Sequence, residues 1–313
     1  MKKLILITSL LIFLSFTTGT GIFADSPSAL ASLKLGIFTD ADSFPFLICE
    51  AERIFQEEKV NVELVRFQSA IERDSAFHAG SVDGIISDLC AAVLARQGGF
   101  KVRITSLTDG RFGIVAGPGI KAKSLADLAK KPIGISSNTI IHYMVDSYMK
   151  NAGIQQANIS LMPIPKLPVR LELLLSGQIA AAGMTEPFIT MALVKGGTLL
   201  ASTDEYPLGA GVLVFHEKSI AEKTEAIKRL YQAYWKAAQR INAKPDSYRS
   251  LLAQKAGFSQ EAALAFRFIM YQKPKLPTEE DIRRAEAWLL SKGLIKAEIA
   301  PSELVDGRFT AGW

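Results

Sequence analysis

Short apolar runs alternate along this chain with longer segments in which apolar residues recur every three or four positions. The short runs are typical of buried strands, and the longer segments of helices that bury one face. In the first third of the chain the predicted strands are residues 34–39, 61–67, 82–86 and 102–107, and the predicted helices are residues 45–58, 70–79 and 89–96. Strands and helices alternating in this way predict an α/β fold with a mostly parallel sheet flanked by helices.

The same layout returns about 98 positions later, which indicates an internal repeat. Leu35-Gly36-Ile37 corresponds to Ile133-Gly134-Ile135, and the turn at Gly80 to the turn at Gly177. In this second copy the predicted strands are residues 133–136, 159–164, 179–184 and 198–202, and the predicted helices are residues 140–151, 168–175 and 188–194. The third strand of each copy leads to a carboxylate, Asp88 or Glu186, so these two are predicted to occupy the same relative place.

Two glycine-rich segments divide the chain into two lobes. Residues 110–119, which carry a short predicted strand, form a crossing into the second lobe, and residues 204–211 form the way back. After the return only helices are predicted, at residues 220–241, 247–256, 260–271 and 278–292. Lobe one is therefore predicted to comprise residues 32–111 and 207–313, and lobe two residues 112–206. The two crossings would make a hinge.

The first residues have the layout of a secretory signal peptide. Lys2 and Lys3 precede an apolar run at residues 4–16, and small residues follow. Ala29-Leu30-Ala31 fits the small-x-small cleavage rule and predicts a signal peptide of residues 1–31, with cleavage near Ala24 as the alternative. An uncleaved membrane anchor would need about 20 apolar residues, more than this run contains. We expect an exported protein, in the periplasm of a bacterium with two membranes.

Composition and charge argue against several classes of function. The net charge of +5 at pH 7 falls to +4 without residues 1–31, an excess that mildly favours acidic ligands. The basic residues are scattered and not interleaved with aromatics, which argues against nucleic-acid binding. The sequence lacks the nucleophile elbow, the His-Glu-x-x-His and Cys-x-x-Cys motifs and the phosphate loop, and its three histidines lie far apart. We therefore predict no catalytic residues, no cofactor and no metal site.

The two cysteines, Cys49 and Cys90, both fall in the first copy of the repeat. An oxidising compartment would allow them to pair. The helices that carry them are expected on opposite faces of the sheet, which argues against a disulfide. The first cysteine also comes far beyond the N-terminal apolar run, so lipid attachment there is not expected.

Candidate ligand-binding residues lie in the loops that follow the predicted strands, because open parallel sheets bind ligands beyond the carboxyl ends of their strands. The candidates are Asp42, Ser43, Phe44, Ser69 and Asp88 in lobe one, and Ser136, Ser137, Asn138, Thr139 and Glu186 in lobe two. Residues 136–139 precede a helix whose free N–H groups would hold a sulfonate, phosphate, carboxylate or nitrate, although simple capping is the alternative. Asp88 and Glu186 would accept hydrogen bonds from a ligand or cap the next helix, and Phe44 would pack on an apolar ligand or in the core.

Several segments resemble the substrate-binding proteins of ABC transporters, in the group that captures aliphatic sulfonates, taurine, nitrate and thiamine pyrimidine precursors. The segments are Phe77-His-Ala-Gly80-Ser-Val-Asp-Gly84, Ser124-Leu-Ala-Asp127-Leu-Ala-Lys-Lys131-Pro-Ile-Gly134, Leu174-Leu-Ser-Gly177-Gln178 with Glu186-Pro187, and Pro277-Thr-Glu-Glu-Asp281. The resemblance implies the type II periplasmic binding protein fold. It also implies a monomer that closes on its solute and presents the closed form to a membrane permease and its ATPase.

Two other functions remain open. Some relatives on this fold are enzymes, so a chain that acts on a small pyrimidine-like or carboxylate substrate is one alternative. A binding module that feeds a sensor in place of a permease is the other.

Overall fold

The computed structural model describes residues 32–209 and 211–313. The predicted signal peptide lies outside these residues. The strands are β1 (Ser32–Phe38), β2 (Asn61–Phe67), β3 (Gly84–Asp88), β4 (Val102–Leu107), β5 (Phe112–Ala116), β6 (Pro132–Ile135), β7 (Ser160–Pro163), β8 (Ala181–Thr185), β9 (Thr198–Ser202) and β10 (Gly211–His216). The α-helices are α1 (Phe44–Ala51), α2 (Ile54–Glu57), α3 (Ala70–His78), α4 (Leu89–Gln97), α5 (Ile140–Asn151), α6 (Leu167–Leu175), α7 (Phe188–Val194), α8 (Glu217–Glu222), α9 (Thr224–Ala243), α10 (Arg249–Lys255), α11 (Gln260–Ala265), α12 (Glu279–Ser291) and α13 (Pro301–Leu304). Within the described part of the chain, no helix is long and apolar enough to cross a bilayer.

The strands form two five-stranded sheets with the same internal order. One sheet is ordered β2-β1-β3-β10-β4 and the other β7-β6-β8-β5-β9. In each sheet one strand runs against its neighbours, β10 in the first and β5 in the second. These two reversed strands follow the crossings between the lobes, so each lobe's sheet is completed by a strand that enters from the other lobe. The predicted α/β fold and the internal repeat are confirmed.

Several elements differ from the prediction, and the helix predicted at residues 260–271 ends at Ala265. Strand β10 lies where only helices were expected, because its apolar run follows directly on the glycine-rich return segment. The single helix predicted at residues 45–58 is two helices, since Arg53 adopts a left-handed conformation with φ of 58°. That conformation cannot continue a right-handed helix, so α1 ends there and α2 begins anew.

Apolar side chains bury the faces of these elements in two clusters that concern the site. In lobe one, Leu35 of β1 and Leu47 of α1 pack in the same core as Leu230 of α9. A second cluster continues from one lobe into the other, through Cys90 of α4, Met144 of α5 and Trp288 of α12. The C-terminal helices therefore cover lobe one and also touch lobe two.

The two crossings are tied to each other and to the core. Arg111 Nε in the first crossing donates to Asp204 Oδ2 in the second over 2.8 Å. Asp109 accepts a 2.7 Å hydrogen bond from the Tyr234 hydroxyl of α9. Gly211 opens β10 where there is no space for a side chain, since a Cβ would lie 2.3 Å from Thr108 Oγ1 and 2.8 Å from Asp42 Oδ2. The hinge region is thus packed directly against the candidate residue Asp42.

Candidate ligand-binding site

A buried cavity lies between the carboxyl ends of the strands of the two sheets. The centre of a water molecule can move through about 60 Å³ of it, which is room for a few waters or one small ligand. The lining residues are Phe38, Asp40, Asp42, Ser69, Ala70, Arg73, Ile86, Ser87, Asp88 and Phe112, with Ser136, Thr139, Ile140, Ile141, Pro165, Leu167 and Thr185. Both lobes therefore contribute to one cavity, where the topology places the ligand sites of open α/β sheets.

The loop after β1 supplies two buried carboxyls. Asp40 Oδ1 accepts from the Ser43 N–H over 2.8 Å, and burial raises the pKa of Asp40 to about 6. Asp42 Oδ2 accepts from Thr108 Oγ1 over 3.1 Å. Burial and the neighbouring Asp40 together hold the pKa of Asp42 well above its usual range. Asp42 Oδ1 is buried with no hydrogen-bond partner among residues 32–209 and 211–313.

Arg73 of α3 is the one cation among the described residues that line the cavity. Its Nε donates to Asp74 Oδ1 over 2.8 Å and its Nη1 to the Ile86 carbonyl over 3.3 Å. Its Nη2 lies 3.9 Å from Asp88 Oδ2, too far for a hydrogen bond. This atom is buried and has no partner in the described part of the chain. The guanidinium carbon lies 5.2 Å from the centre of the Phe38 ring.

Asp88 joins the two lobes across the cavity. Its Oδ1 accepts from the Ala91 N–H at the start of α4 over 2.9 Å and from the Ile140 N–H at the start of α5 over 3.2 Å. Burial raises its pKa to about 6, against the lowering effect of Arg73. Asp88 is therefore both the cap of a lobe-one helix and a contact to lobe two.

The start of α5, predicted to hold an anionic group, is occupied by acceptors from the protein itself. Besides the bond from Ile140 to Asp88, the Ile141 N–H donates to Thr139 Oγ1 and the Asn138 N–H to His142 Nδ1. Thr139 thus has the capping role that the sequence left open as an alternative. In this conformation a carboxylate of lobe one stands where a ligand anion was predicted.

Ser136 lines the cavity but is held by Arg170 of α6. The Arg170 side chain is buried, and its Nη1 donates to the Gly183 carbonyl over 2.7 Å. Its Nε and Nη2 donate to the Ile164 carbonyl, and Nη2 also donates to Ser136 Oγ. Burial lowers the pKa of Arg170 to about 9, which still leaves it charged at pH 7. Arg170 is a structural arginine that fixes the loop after β6.

The predicted equivalence of Asp88 and Glu186 is wrong by one residue. Gly211 of β10 pairs with Asp88 at the end of β3, and Phe112 of β5 pairs in the same way with Thr185 at the end of β8. A shift of one residue along an extended chain turns the side chain to the other face. Thr185 accordingly lines the cavity, whereas Glu186 borders a different one beside Arg111. Glu186 accepts from Arg111 Nη1 over 3.4 Å and from the Thr190 N–H over 3.0 Å.

The other predicted residues fall in three places. Ser69 lines the cavity and caps α3 by accepting from the Glu72 N–H over 3.3 Å. Ser137 and Asn138 border an adjoining open cavity at the mouth of the cleft. Ser43 and Phe44 are fully buried outside the cavity lining, where Phe44 packs in the lobe-one core because it opens α1.

Sequence reasoning missed Arg73, Asp40 and Thr185 as cavity residues. A signal for Arg73 was present, because Arg73 and Phe77 lie four positions apart on the buried face of α3 and Arg73 is the polar member of that face. Asp40 and Thr185 lie in loops that follow predicted strands but were not among the candidates, because chemistry alone does not tell which loop residue points inward.

The lobes are in contact around the cavity, so the conformation is closed. Besides Asp88, the Ala41 N–H of lobe one donates to the Glu186 carbonyl of lobe two over 3.4 Å. Trp288 Nε1 of α12 donates to Asp146 Oδ2 of α5 over 3.1 Å on the far side. The candidate ligand-binding residues that line the cavity are thus already assembled from both lobes.

Neither a metal nor a reactive thiol belongs to the cavity as described. Among residues 32–209 and 211–313, no cluster of three or more His, Cys, Asp or Glu side chains is arranged to hold a metal ion. Cys49 and Cys90 are both free and buried, and they pack in different apolar clusters. Burial raises the pKa of both thiols, so neither is primed as a nucleophile.

Comparison with known proteins agrees with this architecture. The sequence profile of the NMT1-like family matches residues 26–256. The chain belongs to the NMT1-like family. No curated protein sequence matches this NMT1-like chain, but many solved structures share its fold.

Three of these structures span most of the NMT1-like chain at low sequence identity. The ligand-binding component of an ABC-type import system from Staphylococcus aureus, solved with zinc, has a TM-score of 0.79 at 15% identity and covers 90% of this chain and 98% of its own. The periplasmic aliphatic sulphonate binding protein SsuA from Escherichia coli has a TM-score of 0.73 at 12% identity, with 88% and 92% covered. The desulfurization enzyme DSZB has a TM-score of 0.67 at 14% identity, with 90% and 97% covered. The NMT1-like chain therefore has the type II periplasmic binding protein fold, which serves both binding proteins and an enzyme.

Proposed function

We propose that this protein is an exported solute receptor that captures one small organic molecule between its two lobes and delivers it to the permease of an ABC importer. The observation that carries this proposal is the cavity, which both lobes line at the ends of their strands and which closure seals. A ligand held by both lobes stabilises the closed form over the open one, and a permease would recognise that form.

Export, cleavage and the partner belong to the same proposal. The basic, apolar and small residues of positions 1–31 support a cleaved signal peptide and a periplasmic location. The ABC-type import system named for one structural relative supports a permease with its ATPase as the partner. We expect the receptor itself to act as a monomer.

The test is capture of a ligand. Purified protein is incubated with cell extract, washed and examined by native mass spectrometry, and we expect one small molecule bound per chain. Small-angle X-ray scattering should then show a smaller radius of gyration with that molecule than after its removal. Failure to retain any molecule from extract, with no change in shape, would contradict the receptor function.

The enzyme alternative is separated by the fate of the captured molecule. A receptor returns it unchanged after hours of incubation, whereas an enzyme converts it. A sensor module differs from a transport receptor in its gene neighbours, since genes for an ATPase and a permease beside this one favour import.

A further inference from the structure

Two buried polar atoms of opposite character belong to side chains that line the same small cavity. Asp42 Oδ1 is a carboxyl oxygen and Arg73 Nη2 a guanidinium nitrogen, and their side chains are 4% and 2% exposed. Neither has a hydrogen-bond partner within the described ranges. We call Asp42 Oδ1 and Arg73 Nη2 the recognition pair. Buried polar groups are nearly always paired, so two in one cavity indicate a missing ligand.

The internal repeat explains why Arg73 needs an outside partner. Arg73 and Arg170 are each the fourth residue of their helices, α3 and α6. Each donates from Nη1 to the carbonyl of a corresponding strand residue, Ile86 or Gly183. Arg170 Nη2 is then bound by the Ile164 carbonyl and by Ser136, whereas the residue that corresponds to Ser136 beside Arg73 is Phe38. An aromatic ring cannot accept a conventional hydrogen bond, which leaves Nη2 for the ligand.

The charges that line the cavity are unfavourable for a simple anion. Asp40 and Asp88 face one cation, Arg73, in a region of low dielectric constant where like charges repel strongly, and Asp42 adds a third acidic side chain. Nitrate or an alkyl sulfonate would meet Arg73 but would also meet these carboxyls. A ligand with a nitrogen donor removes that repulsion by binding a carboxyl.

We propose that the ligand is a small molecule with two different polar ends. One end is a cationic or hydrogen-bond-donating nitrogen that binds Asp42 Oδ1. The other end is an acceptor or anionic group that binds Arg73 Nη2. This inference rests on the proposed function and narrows it to amphoteric, nitrogen-bearing solutes. Asp42 and Arg73 determine specificity, and Asp88 holds the lobes together around the bound molecule.

The experiment compares probes that differ by one amino group. Binding to the wild-type protein is measured by isothermal titration calorimetry for 3-aminopropanesulfonate against propanesulfonate, 4-aminobutyrate against butyrate, and 4-aminopyrimidine against pyrimidine. In at least one pair we expect the amino compound to bind at least about tenfold more tightly, as for a hydrogen bond to a charged group. Compounds without the amino group that bind as tightly as their amino partners, or no binding by any of the six, would overturn the inference.

Two variants test which residue of the protein binds which end of the ligand. D42N keeps the shape of the side chain. It should weaken binding of the amino compound at least about tenfold and leave binding of the partner without the amino group unchanged. R73K keeps the charge but moves the hydrogen-bond donor, so it should weaken the binding of both members of the pair. D246N is the matched control, because Asp246 is 80% exposed and remote from the cavity lining. Each variant is first shown to have the circular dichroism spectrum of the wild type. An equal loss of affinity for both compounds in D42N would contradict the assignment of the amino group to Asp42.

Proton release on binding distinguishes a direct ligand contact of Asp42 from a purely structural role. Burial and the neighbouring Asp40 raise the pKa of this carboxyl, and a bound ammonium group would lower it again. Calorimetry in phosphate and in Tris at pH 7 should therefore show release of up to about one proton per bound amino compound, and none in D42N. The captured molecule of the preceding section separates the two claims: one without a nitrogen donor refutes this inference but leaves the receptor function standing.

Discussion

The two lobes share a fold and a strand order, but they handle their buried charges in opposite ways. In lobe two, Arg170 is fully used by backbone carbonyls and Ser136, and the strand end that corresponds to Asp88 is the neutral Thr185. In lobe one, Arg73 and Asp42 keep polar atoms without partners in the described chain. Lobe one therefore supplies the charged contacts of the cavity, and lobe two supplies hydroxyls, apolar walls and a helix start.

The two copies of the repeat thus use equivalent positions differently, one for stability and the other, as we propose, for ligand recognition. The same arginine position fastens the sheet edge in one copy and is left open to the cavity in the other. The neighbours make the difference, because Ser136 and the Ile164 carbonyl accept from Arg170 Nη2, whereas the Phe38 ring beside Arg73 has no hydroxyl to accept. Substitutions at corresponding positions should therefore affect stability in lobe two and binding in lobe one.

The largest effect is expected for R170M. Removal of this guanidinium leaves the Ile164 and Gly183 carbonyls buried without a donor, which should lower the free energy of unfolding by about 3 kcal/mol or more. R73M should cost less, about 1–2 kcal/mol, because Arg73 bonds one buried carbonyl and the partly exposed Asp74. Urea unfolding at pH 7 measures the free energy of unfolding of both variants. Equal decreases in R170M and R73M would show that the two arginines do not differ in their contribution to stability.

A smaller effect is expected at the strand ends. D88A removes the cap of α4 and the acceptor for the Ile140 N–H, and should cost about 1–2 kcal/mol. It should also loosen the closed form, seen as a larger radius of gyration. T185A loses one hydrogen bond to the Arg111 carbonyl and should cost less than about 1 kcal/mol without change of shape. D88N, which retains an acceptor oxygen, is the control, and a closed D88A would show that other contacts hold the lobes.

Much of the fold follows from the sequence, because apolar periodicity reports which faces are buried. Strands β1 to β9 and the long helix α9 all lie where the pattern places them within a few residues. β10 was missed because a glycine-rich hinge and a short strand have similar composition. The break at Arg53 was missed because one left-handed residue leaves no periodic trace.

The candidate site is less accessible to such reasoning. Asp42, Ser69, Asp88, Ser136 and Thr139 do line the cavity, since a loop after a parallel strand must point there. The face of a single residue depends on exact register, as the pair Thr185 and Glu186 shows. Arg73 and Arg170 share one position in the repeat, yet their different roles arise from neighbours far away in sequence. Whether the predicted residues bind ligand stays a prediction.

The pH dependence of stability should reveal the buried carboxyls of lobe one. Burial raises the pKa of Asp40 and of Asp88 to about 6, above the value of 3.8 for a free side chain. Between these values the folded state binds more protons than the unfolded state, so their contribution to the free energy of unfolding falls as pH rises from about 4 to 6.

The expected change is roughly 2–3 kcal/mol for each group, because one pKa unit corresponds to about 1.4 kcal/mol. Carboxyls with lowered pKa, such as Asp83 and Asp281, act in the opposite direction and weaken the fold as pH falls toward their own range. The measurement is therefore a difference between wild type and D40N or D88N in urea unfolding from pH 4 to pH 7. A variant curve parallel to wild type would show that the group titrates normally.

The smallest effect is expected for the exposed ion pairs that also cross between the lobes. Lys195 Nζ of lobe two lies 2.7 Å from Glu261 Oε2 of lobe one, but the two side chains are 58% and 55% exposed. Water and salt screen such a pair, so K195A should change the free energy of unfolding by no more than about 0.5 kcal/mol, and less still at high salt. Lys166 and Glu72, 3.4 Å apart and similarly exposed, should behave alike in K166A. A loss in either variant as large as that of D88A would mean that rim charges, and not the buried contacts of lobe one, hold the cleft closed.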